Sequence, residues 1–266
     1  MRRALAGCIA LSVAAPPLGV LLVLRRMSLM SDVLQHGVLP GIALGAAVGG
    51  LSVWAMGLGG VLAGLVVALL AGWLARRTGT GEDSQLAGLY LVALALGVAL
   101  VSAQRGVDLT HLLFGSVLAV DDAALLAMAG AASLTLPVLA VIWRPLVLES
   151  LDPGFPVGGG GLWHACFLAL VVLCVVSGFQ ALGTLMSVGL MMLPAIAARH
   201  WAGSLAGQVS VAVAVAVVAS VVGLLISYHV EIPAGPAIVL TAGAFWGVSL
   251  VAGPRESVWR RDGQRG

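Results

Sequence analysis

Lysine is absent from the sequence, and only 9% of the 266 residues carry a charge. All 13 basic residues are therefore arginines. A Walker A loop holds nucleotide phosphates with a Gly-Lys-Ser or Gly-Lys-Thr sequence, so the absence of lysine excludes a P-loop ATPase in this chain. The charged fraction of 9% is also far below that of a typical soluble domain. We expect no P-loop ATPase site in this chain.

Cysteine is also scarce. The three cysteines, Cys8, Cys166 and Cys174, lie inside apolar stretches, without a CxxC pair or flanking histidines. This is not the pattern of a zinc finger or of a disulfide framework. We expect the three thiols to be small packing groups.

Apolar residues are abundant instead. They make up 61% of the chain, and the mean hydropathy is +1.11, as in integral membrane proteins. The apolar stretches are long and separated by short polar breaks, which favours spanning helices over barrel strands. We predict an all-α polytopic fold of about eight or nine transmembrane helices, with one transmembrane domain over 1–254 and a short polar tail over 255–266. The first stretch runs on to Arg25 and Arg26, so we expect a retained span and not a cleaved signal peptide.

The spans can be placed approximately from the apolar stretches. We predict them at 4–24, 37–51, 54–75, 86–103, 123–143, 162–178, 183–196, 208–228 and 237–252. The segments 37–51 and 183–196 are too short to cross a bilayer at about 1.5 Å per residue. They are typical of broken helices that line a cavity, where transport sites tend to lie.

The arginines indicate the orientation, because cytoplasmic loops collect positive charge. With nine segments, one side carries Arg25, Arg26, Arg76, Arg77, Arg144, Arg199 and the tail arginines Arg255, Arg260, Arg261 and Arg265. We predict that this side and the C-terminus are cytoplasmic. Arg2, Arg3 and Arg105 fall outside, and the first pair conflicts with the rule. An eight-span arrangement with 25–52 partly re-entrant would remove the conflict, so the side of the N-terminus stays open.

Two of the 11 acidic residues, Asp32 and Glu231, fall in or next to apolar segments. A charge at the bilayer centre costs roughly 2.5–3.5 kcal/mol, so such residues suggest function. Asp32 and His36 are four residues apart and would share a helix face, which suits a divalent Zn²⁺, Mn²⁺ or Fe²⁺ ion. Further ligands could be Glu231, His229, His111 or water, or the site could have no further ligand. The alternative is that Asp32 caps a broken helix and His36 binds a freed carbonyl.

The stretch "GTLMSVGLMMLPAIAARHWAG" is the second unusual segment. An apolar half-span is expected to end at Pro194, and small residues with Arg199 and His200 follow on the cytoplasmic side. A short helix lying on the membrane surface there would suit docking of a cytosolic partner. A simple re-entrant turn is the alternative.

Five motifs carry a family resemblance in the same order over nearly the whole chain. They are "LRRMSLMSDVLQHGVLPG", "DLTHLLFGSVLAV", "LDPGFP", "ALGTLMSVGLMMLPAIAARHWA" and "EIPAGPAIVL". Together they resemble the permease subunit of the bacterial zinc, manganese and iron ABC importers. The chain is more distantly similar to the permeases for siderophores and cobalamin.

This resemblance implies a homodimeric pore in the bacterial plasma (inner) membrane, a cytosolic ABC ATPase and an extracytoplasmic metal-binding protein that delivers the ion. Asp32 and His36 would then coordinate the ion along the path. The pore would work by alternating access, and the chain itself would not be an enzyme. Glu231 stands where relatives carry aspartate in "DLP". The residues implied in ATPase coupling lie within 194–207 and include Pro194, Ala195, Ala198, Arg199 and His200. No resident cofactor and no nucleic acid partner is expected.

Other functions remain open from the sequence. A proton-coupled secondary metal transporter would need no ATPase, a siderophore or cobalamin permease would carry a larger cargo, and a membrane scaffold would transport nothing. The sequence also does not choose among Zn²⁺, Mn²⁺ and Fe²⁺.

Overall fold

The computed structural model describes residues 2–28, 30–50, 52–79, 82–103, 121–151 and 161–255. These residues form ten helices: α1 Arg2–Leu24, α2 Met30–Gly37, α3 Leu39–Gly49, α4 Val53–Thr78, α5 Glu82–Ala103, α6 Asp122–Leu151, α7 Leu162–Leu182, α8 Thr184–Arg199, α9 Leu205–Val230 and α10 Ala234–Ala252. Within these ranges, 7 helices are long and apolar enough to cross a membrane. They are α1, α4, α5, α6, α7, α9 and α10, and the predicted all-α polytopic fold is confirmed. The motif with His111 and the tail from 256 onward lie outside the described residues.

The short helices α2 and α3 together run antiparallel to α4. Gly37 lies beside Val67, whereas Gly49 lies beside Ala55 at the other end of the pair. In between, a Cβ at Gly41 would clash with the carbonyl oxygen of Gly59. Small residues at such crossings let two membrane helices approach closely. Because residues 37–49 run beside α4 from Val67 back to Ala55, they favour the nine-segment arrangement over a re-entrant loop.

The predicted break in this segment lies between α2 and α3. Val38 joins the two helices, and Pro40 follows at the start of α3. Proline has no N–H, so one helical hydrogen bond is lost there, although Val38 still donates to Leu34 over 3.0 Å and accepts from Ile42 over 3.1 Å. The predicted span began only at 37, after the polar residues that include Asp32 and His36. In the structure they form α2, whose buried face carries Met30 and Leu34.

The opposite ends of the molecule can be told apart by their contacts. Near one end, Val20 of α1 packs with Ala198 of α8 and Ala212 of α9. At the other end, Arg3 of α1 forms an exposed ion pair of 3.1 Å with Asp122 of α6. The helix directions therefore place the described arginines at the first end, apart from Arg2 and Arg3: Arg25, Arg26, Arg76, Arg77, Arg144, Arg199 and Arg255. By the positive-inside rule this is the cytoplasmic end.

Helix α8 departs from the sequence prediction. The half-span was expected to end at Pro194, but α8 continues through this proline to Arg199. Neighbouring helices can satisfy the backbone groups that a proline frees inside a membrane helix. The cytoplasmic connection to α9 is thus a turn over 200–204, and not a surface helix over 195–207.

Candidate functional site

Helix α2 presents two polar groups on one side. Asp32 is exposed and His36 is half-buried, whereas Met30 and Leu34 on the opposite side are fully buried. A spacing of four residues on a helix places two side chains one turn apart. The predicted shared face of Asp32 and His36 is therefore present in the structure.

Neither group makes the contact that a purely structural role would require. In the part of the chain that the structure describes, no group pairs with the Asp32 carboxylate, and Asp32 does not cap α2. The buried Nδ1 atom of His36 also has no hydrogen-bond partner among these residues. The His36 ring lies 5.8 Å, centroid to centroid, from the ring of Tyr90 on α5. An unpaired carboxylate beside an imidazole leaves both groups available to a cation.

The other proposed ligands lie elsewhere. Glu231 is exposed at the outer end of α9, where it adopts a left-handed conformation with φ 57°. His229 donates from Nδ1 to the carbonyl of Leu225 over 2.8 Å. Among the described residues, no group of three or more His, Cys, Asp or Glu side chains could hold a metal. A contribution of Glu231 to ion binding stays a prediction.

The chemistry of the pair is that of an incomplete site. A carboxylate oxygen and an imidazole nitrogen are suitable ligands for first-row divalent ions, which bind at least four ligands in stable protein sites. If Asp32 and His36 are ligands, one chain supplies two of them from α2. Such a site can bind and release an ion, which transport requires.

A buried arginine fixes the turn before α2. The Arg25 side chain is only 8% exposed and pairs with Glu149 at 3.0 Å. It also donates to the Ser150 hydroxyl at 2.9 Å and to His164 Nδ1 at 2.7 Å. Its guanidinium carbon lies 5.1 Å from the centre of the Phe167 ring. We call these five residues the Arg25 cluster; it joins the end of α1 to the end of α6 and the start of α7.

Sequence reasoning missed the Arg25 cluster and Tyr90. Arg25 and Arg26 were interpreted together as a charged loop, although only Arg26 is exposed. The positive-inside rule does not distinguish a buried arginine from its neighbour. Tyr90 could have been noticed, because it is one of 2 tyrosines in the chain and lies within an apolar segment.

The residues implied in coupling fall into two groups. Pro194 is buried, and Ala195 and Ala198 are 2% and 0% exposed inside α8. Arg199 is exposed at the helix end, and the turn over 200–204 follows it. A cytosolic partner can reach the turn directly but not the two alanines. The role of all these residues in coupling stays a prediction.

The turn is tied to the end of α10. The backbone N–H of Arg255 donates to the carbonyl of His200 over 3.0 Å, and His200 Nδ1 donates to the carbonyl of Arg255 over 3.3 Å. Trp201 donates from its indole to the Ser249 hydroxyl over 2.8 Å. The turn is therefore held rigidly, as transmission of a partner's motion would require.

A family model described as the ABC 3 transport family matches residues 1–253. The chain belongs to this family. Together with the relatives described below, the ABC 3 assignment confirms the resemblance to metal ABC permeases. It also confirms a multi-pass protein of the bacterial inner membrane, consistent with the 7 candidate spans.

Individual ABC 3 relatives extend this likeness over nearly the whole chain. The manganese import system permease protein ScaB of Streptococcus parasanguinis is 32% identical over 260 residues, or 96% of this chain and 91% of the relative. The chelated iron transport system membrane protein YfeD of Yersinia pestis is 31% identical, covering 94% and 84%. The solved structure of PsaBC from Streptococcus pneumoniae in complex with Fab matches with a TM-score of 0.85 and 29% identity, covering 98% and 94%.

Proposed function

We propose that this chain is the membrane-spanning subunit of an ATP-driven importer whose main substrate is Mn²⁺. The observation that carries the proposal is the unpaired Asp32 carboxylate beside His36 on the broken segment α2–α3. Carboxylate oxygen suits Mn²⁺, and neither cysteine nor methionine shares this exposed face of α2. Several relatives named as manganese permeases support the choice of ion, whereas the iron relative makes Fe²⁺ the main competitor.

A second copy of the chain completes the site in this proposal. Two-fold symmetry duplicates every group at the interface, so two ligands on one chain become four in a dimer. The exposure of Asp32 fits a position beside the symmetry axis. A homodimer with one ion between two α2 helices would thus meet the ligand number of a transition-metal site.

The driving force comes from a partner in this proposal. A cytosolic ABC ATPase binds near Arg199 and the turn over 200–204, and its nucleotide-driven motion alternates access to Asp32 and His36. An extracytoplasmic metal-binding protein delivers the ion at the outer ends of α9 and α10. The rigid connection between His200 and Arg255 supports the turn as the point of coupling.

The test is reconstitution of the chain in liposomes with and without a cognate ABC ATPase subunit. We expect co-purification with the ATPase and Mn²⁺ uptake that requires ATP and the delivering protein. Uptake by the chain alone, driven by a proton gradient, would instead establish a secondary transporter. Competition by excess Fe²⁺ or Zn²⁺ then ranks the ions, and a stronger effect of Fe²⁺ than of Mn²⁺ would contradict the assignment of manganese.

A further inference from the structure

The polar residues of α2 lie on two neighbouring faces. Beside the face of Asp32 and His36, Ser31 and Gln35 are 0% and 1% exposed. Ser31 Oγ and Gln35 Nε2 have no hydrogen-bond partner among the described residues. A buried polar group without a partner has lost its hydrogen bonds to water and has no protein hydrogen bond to replace them, so native structures contain few such groups. A conformation that hydrates both side chains would relieve this cost.

Both ends of α2 permit such a change. Before α2, Arg26 adopts a left-handed conformation with φ 59°, which breaks the helical path between α1 and α2. After α2, Gly37 and Pro40 border the break at Val38. Backbone strain and interrupted helices often mark elements that switch between two arrangements. Helix α2 is thus an eight-residue unit between the break at Arg26 and a proline kink at Pro40, across which Val38 still donates to Leu34 and accepts from Ile42.

The spacing of the four polar residues indicates the direction of the change. Successive residues on an α-helix are about 100° apart, so the pair Ser31 and Gln35 lies about 100° around the helix axis from the pair Asp32 and His36. A partial rotation of α2 about its own axis would bring Ser31 and Gln35 to the surface that now carries Asp32. Their hydroxyl and amide oxygens are hard ligands of the kind that contact hydrated divalent cations.

We propose that α2 rotates between the two access states of the transporter, and that Ser31 and Gln35 line the ion path in the state opposite to the one described here. This inference rests on the proposed function and adds two residues to the path. The Arg25 cluster remains fixed in both states and holds the start of the rotating segment. The cargo that Ser31 and Gln35 contact is a hydrated divalent cation.

Cysteine accessibility in the assembled complex tests the rotation. Ser31→Cys and Gln35→Cys are placed singly in a chain whose Cys8, Cys166 and Cys174 are replaced by alanine. Each complex with the ATPase is treated with a small charged thiol reagent, first without nucleotide and then with ATP and vanadate. Ser12→Cys is the matched control, because Ser12 is equally buried but bonds the Ser220 hydroxyl at 2.8 Å. Asp32→Cys verifies that the reagent enters the path.

The expected result is labelling of Ser31→Cys and Gln35→Cys in one nucleotide state only, with Ser12→Cys unlabelled in both. No labelling of the two α2 cysteines in either state, or equal labelling in both, would overturn the rotation. These outcomes are independent of the proposed function if the parent complex still imports Mn²⁺. A parent complex without ATP-dependent import would instead overturn the proposed function and this inference with it.

A second variant separates a role in transport from a role in folding. Gln35→Leu removes the amide and keeps a similar volume. We expect an unchanged or raised melting temperature but a maximal Mn²⁺ import rate lowered about fivefold, the effect of losing roughly one hydrogen bond in the alternate state. Gln180→Leu on α7 is the control, because Gln180 Nε2 is also buried without a partner among the described residues. Wild-type import by Gln35→Leu, or an equal loss in Gln180→Leu, would contradict the assignment.

Discussion

At the scale of single residues, two ion pairs lie near the two ends of α1, one formed by Arg3 and one by Arg25. They differ in their exposure to solvent. The Arg25 side chain is 8% exposed and makes several hydrogen bonds, whereas Arg3 is 62% exposed and bonds only Asp122 among the described residues. Removal of one partner from a buried pair leaves the other charge poorly solvated, but an exposed pair contributes little. The Arg25 cluster should therefore stabilise the fold and keep α2 in place.

We predict that Arg25→Ala lowers the free energy of unfolding by about 3 kcal/mol, the lower end for a buried pair because Glu149 keeps partial contact with water. Arg25→Lys should recover part of the loss, since lysine keeps the charge but cannot reproduce the planar fork. Arg3→Ala is the control and should cost less than about 1 kcal/mol. Thermal and denaturant unfolding in detergent measures all three, and equal losses for Arg25→Ala and Arg3→Ala would refute the distinction.

At the scale of elements, the crossing of α3 and α4 depends on glycine. The backbones of Gly41 and Gly59 approach so closely that a Cβ on either would meet the other's carbonyl oxygen. Gly88 on α5 has open space around its Cα. The same substitution should thus have opposite effects in the two places.

We predict that Gly41→Ala destabilises the protein by about 1–3 kcal/mol, as overpacking does, and reduces import because α2 and α3 shift. Gly88→Ala should be neutral or stabilising by about 0.5 kcal/mol, because alanine limits the freedom of the unfolded chain. Melting temperatures and import rates of the two variants provide the check. Tolerance of Gly41→Ala would mean that the two backbones can separate without loss of the fold.

The elements also show what a sequence can and cannot predict. The long apolar stretches predicted the positions of the spans closely. Inside the bilayer, each spanning helix must satisfy its backbone hydrogen bonds within itself, so its whole length must be apolar. The predicted span began only at 37, because the polar residues of α2 do not look like part of a membrane segment until the helices that bury Met30 and Leu34 are known. Proline 194 was a misleading stop signal. Tertiary packing around Ala195 and Ala198 carries α8 past it.

The same limit applies to the candidate site. The spacing of Asp32 and His36 predicted their shared face from the sequence alone. The burial of Ser31 and Gln35 could not be predicted, because a helix has the same period whichever face meets the core. Which residues of 194–207 can meet a partner likewise depends on packing, since Ala198 and Arg199 are neighbours with opposite exposure.

At the scale of the whole molecule, the cytoplasmic turn is the proposed point of contact with the ATPase. Ala198→Asp would place a carboxylate in a fully buried position and is therefore a poor probe. Arg199 and Ala206 are exposed on either side of the turn. An acidic residue at 206 also lies in the first turn of α9, where the helix dipole favours it.

We predict that Arg199→Glu with Ala206→Asp leaves membrane insertion and melting temperature unchanged while it lowers ATP-dependent Mn²⁺ import. Arg2→Glu reverses one charge at the opposite end and should leave import at the wild-type level. Co-purification with the ATPase and import by the reconstituted complex are measured for both variants. Full ATPase binding and full import by the double variant would place the contact elsewhere on the molecule.

If the charge of Asp32 binds the transported ion, uptake of radioactive Mn²⁺ should depend on it, and the variant Asp32→Asn removes that charge alone. Asparagine keeps the size of the side chain and is a good helix cap, so a structural role would survive the change. Asp122→Asn is the control, because it removes an exposed aspartate at the outer end. At matched expression, we predict that Asp32→Asn abolishes ATP-dependent uptake while Asp122→Asn retains it. Near-normal uptake by Asp32→Asn would contradict the account.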